Sequence, residues 1–366
     1  MSLLYSEVEE QLRESVRDLL TDRSPIADVL KRAESADPYD ASVWTALATD
    51  LGTAGLAVAE DAGGHGASWR EVAVVAEELG RALTPTPFLG STVLATAALQ
   101  RAGAAGLLRE LAEGRSTATL AIGLDTAPGT PFPVTVRHKA GESALSGTVA
   151  NVVDAAGADV VIVPAMGPDG PALFAVRAGD LTQQRVVALD LTRTLSDLTL
   201  DAAPGELLAS GEQAEAALEA ALVAGAVVLA SEQLGLAERC LELTVAYLKE
   251  RYQFGRPLGS FQALKHRLAD IWAEVTQARA VTRYAADCLA TGDADLPVAA
   301  ALAQAYCGPV AVHAAEECVQ LHGGIGFTWE HPAHLYLKRA KSSAIAFGTA
   351  DQHRAALAPL VDLQPV

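Results

Sequence analysis

The chain has 366 residues, of which half are hydrophobic, and its formal net charge at pH 7 is −18. This length is sufficient for a large core and for two or three domains. The acidic balance argues against nucleic-acid binding, whose affinity comes largely from Lys and Arg that neutralise phosphates, and it suits a soluble cytoplasmic protein.

The first 116 residues predict a helical domain. Its opening residues contain no basic stretch followed by an apolar one, so we expect no signal peptide. Apolar residues then recur at helical spacing from Leu4 to Leu19. Further helices are predicted at residues 39–51, 69–83 and 88–100. Residues 59–66 contain a Gly-Gly-x-Gly turn, which on its own indicates only the end of a helix.

Residues 117–207 differ in character from the helices before them. Short β-type runs, such as residues 158–164 and 172–177, alternate here with Gly and Pro. Runs of this kind predict strands, and we therefore expect a small antiparallel β domain.

Residues 208–366 return to long Ala- and Leu-rich helical patterns. The pattern is interrupted near residues 255–260, 291–297 and 323–332. It predicts a C-terminal four-helix bundle in which small residues lie at the helix crossings. The whole chain is thus expected to be a mainly helical α+β protein of three domains.

Two features of this last region indicate its environment. The longest apolar run, residues 216–234, is interrupted by Glu219 and Glu232, so we expect no membrane insertion. All four cysteines lie in helical patterns without metal-site spacing, which predicts reduced core thiols and no bound metal. These cysteines are Cys240, Cys288, Cys307 and Cys318.

Two segments near the C-terminus carry residues suited to ligand binding. In residues 247–262 a helix runs into a loop broken by Gly and Pro, where Arg251, Gln253 and Phe254 offer a cation, an amide and an aromatic face. An arginine can pair a phosphate with two hydrogen bonds. Residues 320–330 end a helix at two glycines, where bare backbone can approach a ligand closely.

In order, spacing and distance from the C-terminus, these two segments resemble the signature of the acyl-CoA dehydrogenase family of flavoproteins. The sequence of helices, strands and a helical bundle is similar to that family as well. The resemblance implies FAD as cofactor, an acyl-CoA thioester as substrate and an electron-transfer flavoprotein as electron acceptor. It also implies an oligomer, and a place in fatty acid or steroid side-chain catabolism.

The resemblance implies α,β-dehydrogenation of the thioester. A carboxylate takes the α-proton while a hydride leaves the β-carbon for the flavin. Hydrogen bonds must polarise the thioester oxygen, and the carboxylate must lie in a dry pocket that keeps its proton affinity high.

The resemblance also assigns residues to FAD. Six of them are implied to reach the diphosphate and adenine end of a neighbouring subunit's FAD: Arg251, Gln253, Phe254, Gln320, Gly323 and Gly324. Thr349 is implied to keep a hydroxyl contact to FAD, and Asp351 occupies a position that often contacts it. The alternative is structural, with Arg251 in a surface ion pair and Phe254 in the core.

The catalytic base is where the chain departs from the family. Family members commonly carry it as the glutamate of a Tyr-Glu-Gly-Thr segment, and the matching residues 346–349 read Ala-Phe-Gly-Thr, which puts Phe347 at that position. The Phe347 backbone N–H can still help to polarise a thioester. Other members place the glutamate on the first long helix of the bundle, at a position that corresponds to Gly225 here.

Glu232 is the remaining candidate for the base. It follows Gly225 by seven residues, which is two turns along the same helical face. The alternative is that Glu232 is a carboxylate that pairs helices or an interface. Asp351 is a second candidate for the base.

The middle region departs from the family too. Residues 123–128 and 145–150 stand where the family covers the flavin ring, and the family's tryptophan is absent. Residues 190–193 do match the family in type. The chain's own flavin site is therefore expected to be incomplete.

Three hypotheses remain from the sequence. The first is a homo-oligomeric acyl-CoA dehydrogenase that uses Glu232 or another base. The second is a base-lacking partner in a heterotetramer with a homologous subunit, which resembles a bacterial branch of the family known from steroid side-chain degradation. The third is a flavin oxidase or monooxygenase on the same fold, because a fold does not determine its function.

Overall fold

The N-terminal region is helical, as predicted. The computed structural model describes residues 3–35, 37, 39–130, 136–138 and 144–363. Six α-helices come first: α1 (Glu7–Arg23), α2 (Ile26–Ala33), α3 (Ala41–Thr45), α4 (Trp69–Ala82), α5 (Thr96–Ala102) and α6 (Ala105–Ala112). Two π-helical segments join them, Ala46–Asp50 directly after α3 and Phe88–Ala95 directly before α5.

Local sequence explains where the two longest of these helices begin. The Ser6 side chain accepts a hydrogen bond from the backbone of Glu9, while the Glu9 carboxylate accepts one from the backbone of Ser6. Ser68 and Glu71 make the same reciprocal pair at the start of α4. Such capping boxes satisfy backbone N–H groups that have no partner within the helix.

The described residues of the middle region form a sheet of eight strands. They are β1 (Ala118–Leu120), β2 (Val136–His138), β3 (Ala144–Val153), β4 (Val160–Gly167), β5 (Gly170–Arg177), β6 (Thr182–Arg185), β7 (Leu195–Pro204) and β8 (Glu206–Ser210). Their order is β6-β7-β3-β2-β4-β5-β8, with β1 paired to β4.

Most pairings in the sheet are antiparallel, which confirms the predicted type. The pairs β1–β4 and β2–β4 are parallel, contrary to a purely antiparallel expectation. Parallel strands need a long crossover connection between them. The chain between β1 and β4 is long enough, because it includes β3.

Between residues 208 and 363, the C-terminal region contains five α-helices. They are α7 (Glu212–Glu250), α8 (Gln262–Thr291), α9 (Leu296–His322), α10 (Ala333–Ser343) and α11 (Ala350–Leu360). A short hairpin of β9 (Tyr252–Gln253) and β10 (Arg256–Pro257) joins α7 to α8. The mainly helical α+β class is thereby confirmed. The predicted domain limits, 1–116, 117–207 and 208–366, stay predictions.

Two of the long helices, α7 and the segment Leu296–Phe327 that contains α9, are long and apolar enough to cross a membrane by composition. In their most apolar windows, 72% and 67% of the residues are buried inside the protein. These helices are therefore core helices, and their apolar residues pack against protein. The four cysteines are free and buried in this core, as predicted.

The helices α4 and α7 cross with their backbones in direct contact at two glycines. A Cβ on Gly80 would lie 2.1 Å from the carbonyl oxygen of Glu232, and a Cβ on Gly235 would lie 1.8 Å from that of Glu77. Each helix thus supplies a glycine against the backbone of the other. No other residue type fits at either position without moving the two helices apart.

We expect Gly235→Ala to lower the free energy of unfolding by roughly 2 kcal/mol, because about 3 kcal/mol of overpacking outweighs about 1 kcal/mol of gained helix propensity. Urea unfolding measures the change. The matched control is Gly106→Ala in α6, where a Cβ would meet nothing within 4 Å, and this variant should be slightly more stable than the wild type. Equal stabilities of the Gly235→Ala variant and the wild type would contradict the close crossing.

Candidate functional site

The two positions at which the resembled family carries its base come together in the structure. A Cβ on Gly225 would lie 2.9 Å from Cζ of Phe347 and 2.8 Å from Cδ2 of Leu94. The Phe347 side chain is fully buried. One phenylalanine ring therefore fills the point on which both base positions converge.

The turn that carries Phe347 is fixed by its backbone. Phe347 and Gly348 have φ angles of 54° and 98°, in the left-handed region. The Phe347 N–H donates to the carbonyl of Leu124 at 2.8 Å, and Nε2 of His353 donates to the Phe347 carbonyl at 2.8 Å. Burial lowers the pKa of His353 and keeps the ring neutral. The N–H that the sequence suggested for polarising a thioester is thus already engaged within the chain.

Thr349 and Asp351 begin the helix that follows this turn. The Thr349 hydroxyl caps α11, where it accepts from the backbone N–H of Gln352 at 3.3 Å. The Asp351 carboxylate is exposed and pairs with Arg354 at 2.7 Å. Their contacts with FAD, and a role of Asp351 as base, stay predictions.

Glu232 lies in a buried network of charges. Its Oε1 accepts hydrogen bonds from Nη1 of Arg339 at 2.9 Å and from Nη2 of Arg193. The Nε of Arg339 also pairs with Asp190 at 2.7 Å, and its Nη2 donates to the carbonyl of Thr192 at 2.6 Å. All five residues are buried. The network ties α7 and α10 to the loop before β7, which gives residues 190–193 a structural role.

These contacts are those of a carboxylate that pairs helices, which was the structural alternative for Glu232. Seven residues of helix separate it from Gly225, a rise of about 10 Å. A base must lie within hydrogen-bond reach of the proton that it takes. The role of Glu232 as base stays a prediction.

A cavity of about 20 Å³ adjoins this network, enough for one water molecule. Asp154 lines it, and one of its oxygens accepts the N–H of Gly90 at 2.9 Å. Burial raises the pKa of Asp154 to about 6. Its contribution to stability is therefore complete below the ordinary pKa of an aspartate and is lost as the pH rises through about 6. Sequence reasoning missed Asp154, because a single aspartate after a strand gives no signal.

The residues predicted to bind FAD across subunits are exposed. Gln253 and Phe254 lie on the β9–β10 hairpin, and Arg251 directly precedes it at the end of α7. Phe254 is 86% exposed. Phe254 and Gly255 have φ angles of 54° and 76°, typical of a type I′ turn. The Phe254 ring meets the ring of Phe261 edge to face, with centroids 6.1 Å apart, and most of Phe254 stays accessible to a ligand.

The second predicted segment lies at the same end of the bundle. Gln320, Gly323 and Gly324 are exposed at the end of α9, and a Cβ on either glycine would meet nothing within 4 Å. The rings of Tyr247 in α7 and His322 in α9 stack with centroids 4.5 Å apart, so the ends of both helices are adjacent.

Thr349 and Asp351 belong to a different part of the bundle. Arg354, one turn further along α11, places Nη2 3.5 Å from the carbonyl of Ala305. Ala305 precedes Gln320 by fifteen residues of α9, a rise of about 22 Å. Within one chain the predicted FAD residues therefore form two separate groups.

The exposed group fits part of a dinucleotide. In the part of the chain that the structure describes, the guanidinium of Arg251 makes no hydrogen bond or ion pair, so it is free to pair with a diphosphate. Phe254 offers an exposed ring to a base, and the two glycines leave open backbone beside it.

Two family models match the chain. They are described as acyl-CoA dehydrogenase, N-terminal domain, over residues 6–114, and acyl-CoA dehydrogenase, C-terminal domain, over residues 214–360. The chain belongs to the acyl-CoA dehydrogenase family. Its members are flavoprotein oxidoreductases of fatty acid and steroid catabolism.

Curated relatives agree with this assignment. Acyl-CoA dehydrogenase IpdE2 of Mycolicibacterium smegmatis is 38% identical over 343 residues, which cover 94% of this chain and 95% of the relative. Acyl-CoA dehydrogenase FadE34 of Mycobacterium tuberculosis is 38% identical over 295 residues, which cover 79% of this chain and 38% of the relative.

Solved structures share the fold across the whole chain. A variant of the Tcur3481-Tcur3483 steroid ACAD has a TM-score of 0.85 and 32% identity, covering 97% of this chain and 98% of the other. The ChsE4-ChsE5 complex from Mycobacterium tuberculosis has a TM-score of 0.88 and 27% identity, with full coverage of both chains.

We expect Glu232→Ala to lower the free energy of unfolding by about 3–5 kcal/mol, because it leaves the guanidinium groups of Arg193 and Arg339 buried without this partner. Chemical denaturation measures the loss. Glu219→Ala on the same helix is the matched control: its exposed carboxylate accepts one hydrogen bond, from Gly129, so the loss should be about 1 kcal/mol or less. A Glu232→Ala variant as stable as the wild type would show that the network does not hold the fold together.

Proposed function

We propose that this chain is the base-lacking subunit of a heteromeric acyl-CoA dehydrogenase, which completes the FAD site of a homologous partner. The observation that carries the proposal is the ring of Phe347, packed against Gly225 and Leu94 at the point where the family's two base positions meet. The partner subunit then supplies the carboxylate that takes the α-proton.

The chain's own flavin region supports the same conclusion. The Phe347 N–H is bonded to Leu124, in the segment that stands where the family covers the flavin ring. A Cβ on Gly348 would lie 2.8 Å from Cβ of Ala127, so the turn and this segment are in direct contact. Direct packing between the two leaves the polarising N–H without access to a thioester.

The exposed group of FAD residues defines what the chain contributes. FAD, when bound, accepts the hydride from the substrate. Arg251 would hold the diphosphate through paired hydrogen bonds, and Phe254 would offer its ring to the adenine. Gly323 and Gly324 let the backbone approach the dinucleotide closely. These residues orient the cofactor and take no part in proton transfer.

The relatives support a two-component enzyme. Two similar structures are each named by a pair of components, and one of them is called a steroid ACAD. We extend the proposal to an acyl-CoA with a steroid-derived acyl group, to a cytoplasmic location and to an electron-transfer flavoprotein as the electron acceptor.

Two other functions fit the structure less well. A self-sufficient dehydrogenase needs a base, and Oε1 of its candidate, Glu232, is occupied by two guanidinium groups. A flavin oxidase or monooxygenase has no observation in its favour beyond the shared fold. The structure of PigA with FAD and proline matches with a TM-score of 0.88 and 21% identity, a likeness of fold alone.

In the complex with the homologous subunit, we expect Arg251→Ala to weaken FAD binding roughly tenfold or more, because a charge-assisted pair with the diphosphate is worth about 1.5–3 kcal/mol. Flavin fluorescence during titration of the deflavinated complex measures the affinity. Lys249→Ala is the matched control, since it removes an equal charge two residues away from an exposed position. Equal FAD affinity of the Arg251→Ala and Lys249→Ala complexes would contradict the proposed contact.

A further inference from the structure

Beyond the residues that contact FAD, we propose that His322 is a positioning residue, whose ring holds the two FAD-contact segments in register with each other. This inference rests on the proposed function. His322 itself is 3% exposed and lies behind the contact surface, so it acts through the segments on either side of it.

The ring of His322 lies between two other rings. Its centroid is 4.5 Å from that of Tyr247, at an interplanar angle of 30°. It is 4.2 Å from the ring of His331, at an angle of 37°. Tyr247 comes from the last turns of α7, and His331 comes from the loop between α9 and α10. Three separate stretches of chain therefore meet at His322.

Tyr247 and His322 are each directly connected to a residue of the two FAD-contact segments. The carbonyl of Tyr247 accepts the backbone N–H of Arg251 at 2.9 Å, so the start of the hairpin follows any movement of Tyr247. His322 is covalently bonded to Gly323 and lies two residues after Gln320. A shift of the His322 ring relative to Tyr247 would therefore change the distance between the two contact segments.

Hydrogen bonding fixes the orientation of this ring. Nδ1 of His322 lies 2.6 Å from the carbonyl of Cys318, so Nδ1 carries the proton and donates it. Burial and the nearby His322 and His334 lower the pKa of His331 to about 4. His331 is therefore neutral near pH 7, and the two histidine rings pack without charge repulsion.

A second aromatic contact anchors the loop that His331 belongs to. The rings of Trp329 and His334 meet edge to face with centroids 4.6 Å apart, and Nζ of Lys338 lies 4.8 Å from the centroid of Trp329. The loop is thus held to α10 on one side and to His322 on the other. The His322 ring is the link between this anchored loop and α7.

The test measures FAD affinity and the visible circular dichroism of bound flavin in the heteromeric complex. His322→Ala should weaken FAD binding roughly three- to tenfold, since aromatic pairs are worth about 0.5–1.5 kcal/mol each, and it should alter the dichroism of the flavin. His322→Phe keeps a ring between Tyr247 and His331 but loses the hydrogen bond to Cys318, so it should recover part of the affinity that His322→Ala loses. His313→Ala on the same helix, where the ring is part-exposed and pairs with Glu274, is the control and should match the wild type.

The outcomes separate this inference from the proposed function. If Arg251→Ala weakens FAD binding and His322→Ala does not, the positioning role of His322 is wrong and the proposed function stands. If neither variant changes FAD affinity, the proposed function fails and this inference fails with it. Should His322→Ala not fold, His331→Ala removes the other half of the stack from a half-buried position and must show the same loss of affinity. An FAD affinity of His322→Phe no higher than that of His322→Ala would also overturn the role of ring stacking.

Discussion

The backbone contact between α4 and α7 at Gly80 and Gly235 is the constraint on which the rest of the structure depends. It fixes the position of α7, and α7 carries Gly225, Glu232 and Tyr247 at successive heights along one helix. Gly225 packs against the Phe347 ring, Glu232 anchors the buried network, and Tyr247 supports the hairpin that we propose contacts FAD. A shift of α7 would move all three together.

The turn at Phe347 and Gly348 is held by backbone interactions that involve no carboxylate at position 347. The turn at Phe347 and Gly348 keeps its left-handed backbone, its bond to Leu124 and its bond to His353, although no carboxylate remains there. The apolar ring packs against a glycine, which adds buried area to the core. The interactions that hold this turn therefore do not require a carboxylate at position 347.

The sequence predicted the two segments at the ends of α7 and α9, but it did not predict the contact between Gly225 and Phe347. The break after α7 and the glycines after Gln320 were predictable, because Gly and Pro mark them locally. The hairpin that fills the break was predicted only as a loop. The convergence of Gly225 and Phe347 was not predictable from residues 122 positions apart, since it depends on how α7 packs against the turn. Helical periodicity predicted that Glu232 lies on the same face of α7 as Gly225. It could not predict the arginine partners of Glu232, because they come from α10 and from the loop before β7.

The most direct test of the central claim is the visible absorption spectrum of the chain purified alone, followed by anaerobic addition of a panel of acyl-CoA thioesters. We expect that the isolated chain holds no flavin that a thioester can reduce. The reason is that Phe347 packs at Gly225 and its N–H is bonded to the carbonyl of Leu124. An acyl-CoA should reduce bound FAD only when a homologous subunit that carries the base is present. Bound flavin that an acyl-CoA bleaches in the isolated chain would contradict the account.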